Sequence, residues 1–395
     1  MGNQKGVVSV WSNSPYQPTG YGVQAGYLVD RLKRDNYAVS AISNFGLEGH
    51  NSTLQTPYGE IPHYARGFEP YSNDVGPMNH VHWRSQHPNL KDILITLYDV
   101  WVLKGSAWGG IRTIASWTPL DHLTMPPMVE NWLLKPNVTP IAMSPHGVRQ
   151  MEERNLEHLY IPHAIDTSVM KPTYGIAGQD TREFMGFSKD DFVVGMVAAN
   201  KASGLVHRKA FSENLLAFAK FRETHKDAKL YLHTDPLGAA GGWNLLKMLT
   251  ALNISQEDVR FPNLADYRYG MGQEALAALM TGMDVMLAPS YGEGFGVPTM
   301  EAQACGTRVI GSDWAATSDL VADDGYLVAG QPLWDSGQSA WWQMPLVPSI
   351  VDALEQAYKA PRERSQVSID FASQFDVETV WETHWKPALD ILFAK

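Results

Sequence analysis

Glu293 and Glu301, with seven residues between them, stand in the stretch Ala288-Pro289-Ser290-Tyr291-Gly292-Glu293-Gly294-Phe295-Gly296-Val297-Pro298-Thr299-Met300-Glu301. An apolar run enters a turn with three glycines, Pro298 suits the first position of a following helix, and Gly306 suits its end. Loop glycines let the backbone approach a ligand, and a helix start offers unpaired N–H groups and a positive dipole end. That is an anion site. Carboxylates beside it add little by charge, but they are strong double acceptors for vicinal hydroxyls. Phosphate on backbone with carboxylates on hydroxyls describes a nucleotide sugar. Taken singly, Glu301 reads equally as a complement to the helix dipole and Glu293 as a solvated loop residue. Cationic groups come from Asn200-Lys201-Ala202-Ser203-Gly204-Leu205-Val206-His207-Arg208-Lys209-Ala210, where Arg208 and Lys209 can neutralise a departing diphosphate.

These residues need a scaffold of alternating strands and helices. The chain has 395 residues, enough for two or three domains, and 44% are apolar. Val7–Trp11, a periodic stretch over 23–34, and Ala38–Ile42 make a βαβ opening. The pattern resumes with strands at 93–98, 112–117 and 140–144, and a second series begins at Phe192. The fold class is therefore α/β, in two domains joined between Asp166 and Lys189. Segment 43–91, rich in Gly, Pro, Asn, His and Tyr, reads as a long binding loop or lid, with room for a hairpin. Residues 377–393 read as an amphipathic terminal helix.

The net charge of −11, from 31 basic and 42 acidic residues, disfavours a generic polyanion binder. The single cysteine, Cys305, admits no intramolecular disulfide, so a reducing cytoplasm is expected. No run approaches the roughly 18 apolar residues of a membrane span, and residues 1–10 show no secretory signal pattern.

The setting Gly-Glu-Gly-Phe-Gly-Val-Pro…Glu-Ala…Cys-Gly around Glu293 and Glu301 resembles the glutamate pair of retaining GT-B glycosyltransferases, closest to glycosyltransferase family 4. Tyr160-Ile161-Pro162-His163-Ala164-Ile165-Asp166 is similar to that family's interdomain Pro-x-Gly-x-Asp segment, with Ala164 in the glycine's place, and Ala210 likewise replaces a glycine after the Lys. The resemblance implies two Rossmann-like domains facing across a cleft. An acceptor-side domain would span 1–168 together with a returning helix at about 377–395, and a nucleotide-sugar domain 169–376. It implies that Glu301 binds ribose and Glu293 the donor sugar. Gly294, Phe295, Gly296 and Val297 would meet phosphate or sugar, and Arg208 and Lys209 the diphosphate. Gly20-Tyr21-Gly22 is similar to the family's glycine-rich loop after the first strand. Catalytic candidates are Glu293, Lys209, Asp121 and His122, of which Asp121 reads equally as a turn or cap residue. Asp99, Trp117 and His146 are acceptor-side candidates.

The chain contains no Asp-x-Asp, so no metal and no cofactor is expected. The partners would be a nucleotide sugar, most simply UDP-glucose, and a bulky acceptor: a glycan, a protein side chain or a modified nucleic-acid base. Gly20-Tyr21-Gly22-Val23-Gln24-Ala25 also satisfies a dinucleotide pattern, but the glycines lie well past the first strand and no acidic residue follows the second. A nicotinamide-dependent oxidoreductase is therefore the weaker reading. A non-catalytic sugar-nucleotide binder on the same scaffold would keep the fold and lose the donor residues.

Overall fold

The computed structural model describes residues 4–104, 107–202 and 206–395. Ser203, Gly204 and Leu205 of the basic loop and Met1–Asn3 of the amino terminus lie outside the described residues. The chain folds as two compact units: Met1–Leu120, Thr124–Ala164 and Val377–Lys395 in the first, Asp121–Leu123 and Ile165–Asp376 in the second. The division at Ala164 falls before the expected 168, and Asp121–Leu123 belongs with the second unit.

The uncharged run Val7-Val8-Ser9-Val10-Trp11-Ser12 is buried at every position, which requires a strand covered on both faces. This strand, β1 (Val7–Ser12), is central in the first unit's sheet, with β2 (Ala38–Ser43), β3 (Ser52–Thr56), β4 (Gly59–Tyr64), β5 (Asp92–Leu97), β6 (Ile114–Thr118), β7 (Val138–Ala142) and β8 (Leu159–Tyr160). The order is β3-β4-β2-β1-β5-β6-β7-β8, parallel except for the β3–β4 hairpin. Connections run one way from β1 to β2 and the other way to β5, so a topological switch point lies at the carboxyl ends of β1 and β5.

Segment 43–91 is more regular than its composition suggests. It forms the β3–β4 hairpin, a short turn at Pro70–Ser72 and a helix at Gly76–Ser85. Gly20-Tyr21-Gly22 is also not a loop. It is the first turn of helix Gly20–Arg34, capped by the Thr19 hydroxyl, which accepts from the Gly22 N–H at 3.0 Å. The terminal run is helical from Val377 to Ala394, with a π turn at Trp381–Trp385, and Trp385 meets Trp117 edge to face at 5.0 Å. No helix among the described residues is long and apolar enough to cross a membrane.

In the second unit, β9 (Gly175–Ile176) and β10 (Gln179–Asp180) form a small hairpin. A six-stranded parallel sheet follows, ordered β13-β12-β11-β14-β15-β16, from β11 (Phe192–Val197), β12 (Ala228–His233), β13 (Val259–Arg260), β14 (Val285–Leu287), β15 (Arg308–Ser312) and β16 (Tyr326–Val328). Helix Phe211–Thr224 fills one face with Phe211, Phe218 and Phe221, each at most 1% exposed. A second antiparallel hairpin, β17 (Gly330–Asp335) with β18 (Ala340–Pro345), goes beyond the sequence-based expectation. Pro332 and Pro345 argue against strands by rule, and a two-stranded ribbon tolerates them because each strand has a free edge.

Candidate active site

The loop after β14 leads into helix Val297–Ala304, whose N-cap is Gly296 at φ +90°, a backbone conformation that glycine adopts without strain. Pro298 occupies the second helical position rather than the first, and no side chain caps this turn; the Thr299 and Met300 N–H groups bond back to the Gly296 carbonyl at 3.0 and 3.3 Å, so among the described residues the Val297 N–H is the leading donor left for a ligand. Gly292 has a different reason to be glycine: a Cβ there would collide with the Asp121 carbonyl oxygen.

The basic loop is tied to this one by hydrogen bonds. The Tyr291 N–H donates to the Arg208 carbonyl at 2.8 Å, and the Asn214 amide donates to the carbonyls of Pro289 at 2.9 Å and Lys209 at 3.2 Å. Behind them, buried Asn200 donates to the carbonyls of Asp235 and Trp243 and accepts from the Trp243 N–H, so it holds loops together and does not face a phosphate. Fully buried His207 lies 2.9 Å from the Asn200 amide oxygen, and burial pulls its imidazole down to about 4, so it is neutral. Ala210 sits at φ +50°, which explains why a glycine would suit that position.

The result is a tight ionic cluster. Arg208 donates to the Gly292 carbonyl and, at 3.1 Å, to the Glu293 carboxylate, and the Lys209 ammonium donates to the same carboxylate. Burial raises the Glu293 carboxyl, but the two cations outweigh it and hold it below its ordinary value. Burial pulls the Lys209 ammonium down, with the charge of Glu293 opposing. On the other side of Arg208, the Asp121 carboxylate lies 3.6 Å away. Burial pushes Asp121 up, yet the hydrogen bond and charge of His122, with Arg208, lower it to about 2.

His122 is gripped from both ends. Its Nδ1 meets Asp121 at 2.7 Å, its Nε2 meets Asp335 of β17 at 3.1 Å, and its ring stacks on Trp342 at 4.9 Å. Burial lowers the imidazole, but the two carboxylates outweigh it and raise its pKa. With both nitrogens committed to carboxylates, His122 orients Asp121, and it is not placed as a proton acceptor. Leu123 completes the attachment by exchanging two backbone hydrogen bonds with Trp341, at 2.9 and 2.7 Å.

Glu301 contrasts with all of these. It is 8% exposed, no protein group among the described residues hydrogen-bonds its carboxylate, and burial pushes its pKa up to about 7.

Other expected residues lie in the first unit. The Tyr21 hydroxyl donates to Asp99 at 3.4 Å, in the turn after β5. Trp117 is 1% exposed and donates to the Ile161 carbonyl at 2.8 Å; it is core, so its ring offers no face to an acceptor. His146 is 4% exposed in the first turn of helix Pro145–Glu152, which equally removes it from an acceptor surface. Asp335 and Trp342 escape sequence reasoning, because nothing in their local pattern announces the hairpin that carries them.

Residues 197–335 match the family model described as Glycosyl transferases group 1. Superposition on sucrose-phosphate synthase from Thermosynechococcus elongatus gives a TM-score of 0.75 at 17% identity, covering 99% of this chain and 100% of that one. The chain has the GT-B fold. HepE from Anabaena, solved with UDP and glucose, shares it at a TM-score of 0.65 and 16% identity, covering 98% of this chain and 100% of that one. In sequence, this GT-B chain is 33% identical over 126 residues to an MMP alpha-(1->4)-mannosyltransferase of Mycolicibacterium hassiacum. That match covers 31% of the chain but only 28% of the relative's length. The matched family region holds Arg208, Lys209, Glu293, Glu301 and Asp335.

Proposed function

We propose that this protein is a retaining glycosyltransferase that moves a sugar, most simply glucose from UDP-glucose, to an acceptor without a metal ion, in the cytoplasm. The observation that carries the reading is Glu301: a buried carboxylate without a protein partner among the described residues, one turn into a helix whose first N–H, that of Val297, is uncapped. A polar group buried in that way costs stability unless a ligand satisfies it. Ribose hydroxyls are the donors that fit, with the diphosphate on the backbone of Gly296 and Val297 and on Arg208 and Lys209. The UDP and glucose of the HepE structure support the choice of donor by analogy of fold.

In the free protein, Glu293 occupies the cations that a diphosphate needs. An arriving diphosphate displaces it, and the freed carboxylate accepts hydrogen bonds from the donor sugar's hydroxyls. As the glycosidic bond breaks, negative charge grows on the leaving phosphate, where Lys209 and Arg208 stabilise it. On the retaining reading, the acceptor attacks from the same face and the leaving phosphate takes its proton.

Thermal unfolding against uridine, guanosine, adenosine and thymidine diphosphates tests the donor site. At a hundredfold excess over its dissociation constant, a ligand adds about 2.7 kcal/mol and raises the midpoint by several degrees. One nucleoside diphosphate should do so in the wild type and fail at the same concentration in Glu301→Ala. An equal shift in the variant would remove the ribose assignment.

A further inference from the structure

Outside this cluster, the first unit contains a cavity of about 130 Å³ at the carboxyl ends of β4 and β5. It lies between the turn Pro70–Ser72 and the turn Val100–Val102, and its walls are Glu69, Pro70, Tyr71, Trp101, Val102 and Lys104. Two features mark it as more than a packing gap. Tyr71 and Trp101 are 38% and 37% exposed, so both rings present surface. Tyr71 and Ser72 are both at positive φ, +60° and +58°, a conformation that bulky residues avoid and that persists only where surroundings enforce it.

The enforcement is visible. The buried Ser72 hydroxyl donates to the Ser43 carbonyl at 3.0 Å and accepts from the Gly67 N–H at 3.2 Å. The Asn73 amide donates to the carbonyls of Pro70 and Val102, both at 3.0 Å, and its oxygen accepts from the Lys104 N–H at 2.7 Å. Asn73 thus ties one wall to the other, and the Tyr71 and Tyr98 rings stand nearly perpendicular with centroids 6.3 Å apart. The chain accepts local strain to hold an exposed aromatic ring in one place.

We infer that this cavity binds one neutral sugar ring of a glycan acceptor, stacked on Trp101 and Tyr71. At about 130 Å³ the cavity is slightly smaller than the roughly 150 Å³ engineered cavity that encloses benzene, so it takes the apolar face of one sugar ring and leaves the hydroxyls at its mouth. A pyranose has an apolar C–H face that suits the negative face of an aromatic ring, and a rim of hydroxyls. The lining is almost wholly apolar, while Glu69 and Lys104 at its edge are exposed and neither side chain has a partner among the described residues, so the acceptor and donor available to those hydroxyls lie at the rim and not inside. One charge of each sign favours an uncharged ring over a phosphate or a carboxylate. The acceptor role rests on the glycosyl-transfer reading above; ring binding in the cavity does not.

The test is ligand-observed saturation-transfer NMR on the full chain with methyl α-glucoside, α-mannoside, α-galactoside and N-acetyl-β-glucosaminide. At least one glycoside should bind, and Trp101→Ala and Tyr71→Ala should each weaken it roughly tenfold or more, with Trp101→Phe restoring part of it. Glu69→Gln, at an exposed position, should weaken it without any change in unfolding midpoint. Saturating UDP and Glu301→Ala should leave the signal unchanged. The inference fails if no glycoside binds, if the Trp101 and Tyr71 variants bind as wild type does, or if UDP displaces the glycoside. Trp101-dependent sedimentation with phosphatidylglycerol vesicles in the absence of glycoside binding would instead make this face, with fully exposed Phe68 beside it, a membrane contact and overturn the proposal. Glycoside binding that survives while no nucleoside diphosphate binds would sink glycosyl transfer and leave the sugar site standing.

Discussion

Glu293 and Glu301 belong to the same loop and helix, and both are largely buried, yet their electrostatic situations are opposite. Glu293 is held below its ordinary pKa by two cations, so it is charged and satisfied in the free protein. Glu301 has no such partners among the described residues, and burial raises it to about 7. Burial is therefore not what separates them; the partner is. A satisfied carboxylate must be displaced by the ligand, whereas an unsatisfied one is completed by it. The two residues divide the work of a donor site: Glu293 keeps Arg208 and Lys209 preset, and Glu301 gains most from an incoming ribose.

The largest expected effect breaks the Glu293 side of this comparison. Lys209→Ala should lower turnover by about 10²–10³-fold, the scale for losing one preset charge partner of a transition state. It should raise the donor Michaelis constant much less, because leaving-group charge grows as the bond breaks. Steady-state kinetics separates the two, and a pure Michaelis-constant effect would contradict the role.

The Glu301 side is sharpened by pH. Its folded pKa of about 7 lies above the ordinary carboxylate value of 4.5, so between these limits the folded state holds a proton that the unfolded state has lost. Its stabilising contribution is full below pH 4.5 and is lost as pH rises through 7. Glu301→Gln cannot ionise. Denaturant titrations should find it more stable than wild type at pH 8, by up to about 3 kcal/mol, and equal near pH 4.5. The same substitution should weaken donor binding, so this position trades stability for function.

Smaller effects test the supports around the pair. Ala210→Gly should stabilise the protein by about 0.5–1 kcal/mol by relieving a left-handed alanine, as a shift in urea midpoint without a change in slope. Asp335→Asn should lower the pKa of His122, followed by NMR of its ring protons, since one of the two carboxylates that raise it is gone. An unchanged His122 titration would detach the hairpin from the site.

What can be read in advance follows from how local each signal is. The strand-to-helix passage around Glu293 is legible because glycines and a proline mark it within a dozen residues, and the basic loop because its charges follow a strand. Hairpin β17–β18 is not, since its prolines break the alternation that announces strands, and its partners Asp121–Leu123 are some 200 residues distant in sequence. Gly20-Tyr21-Gly22 resembles a loop because two glycines outweigh the Thr19 cap that starts a helix there. Trp117 and His146 are candidates by residue type near strand ends, and type carries no information on which way a side chain points.

The central claim is that Glu301 waits as a partly protonated carboxyl for ribose hydroxyls. Calorimetric titration of UDP at pH 7, in buffers of different ionisation enthalpy, measures it directly. Hydrogen bonds from ribose favour the charged form and pull the pKa of Glu301 down, so binding should release roughly half a proton. Glu301→Gln should abolish the release and weaken binding by about 1.5–3 kcal/mol. UDP that binds with no proton release, or equally well to the variant, would contradict the account.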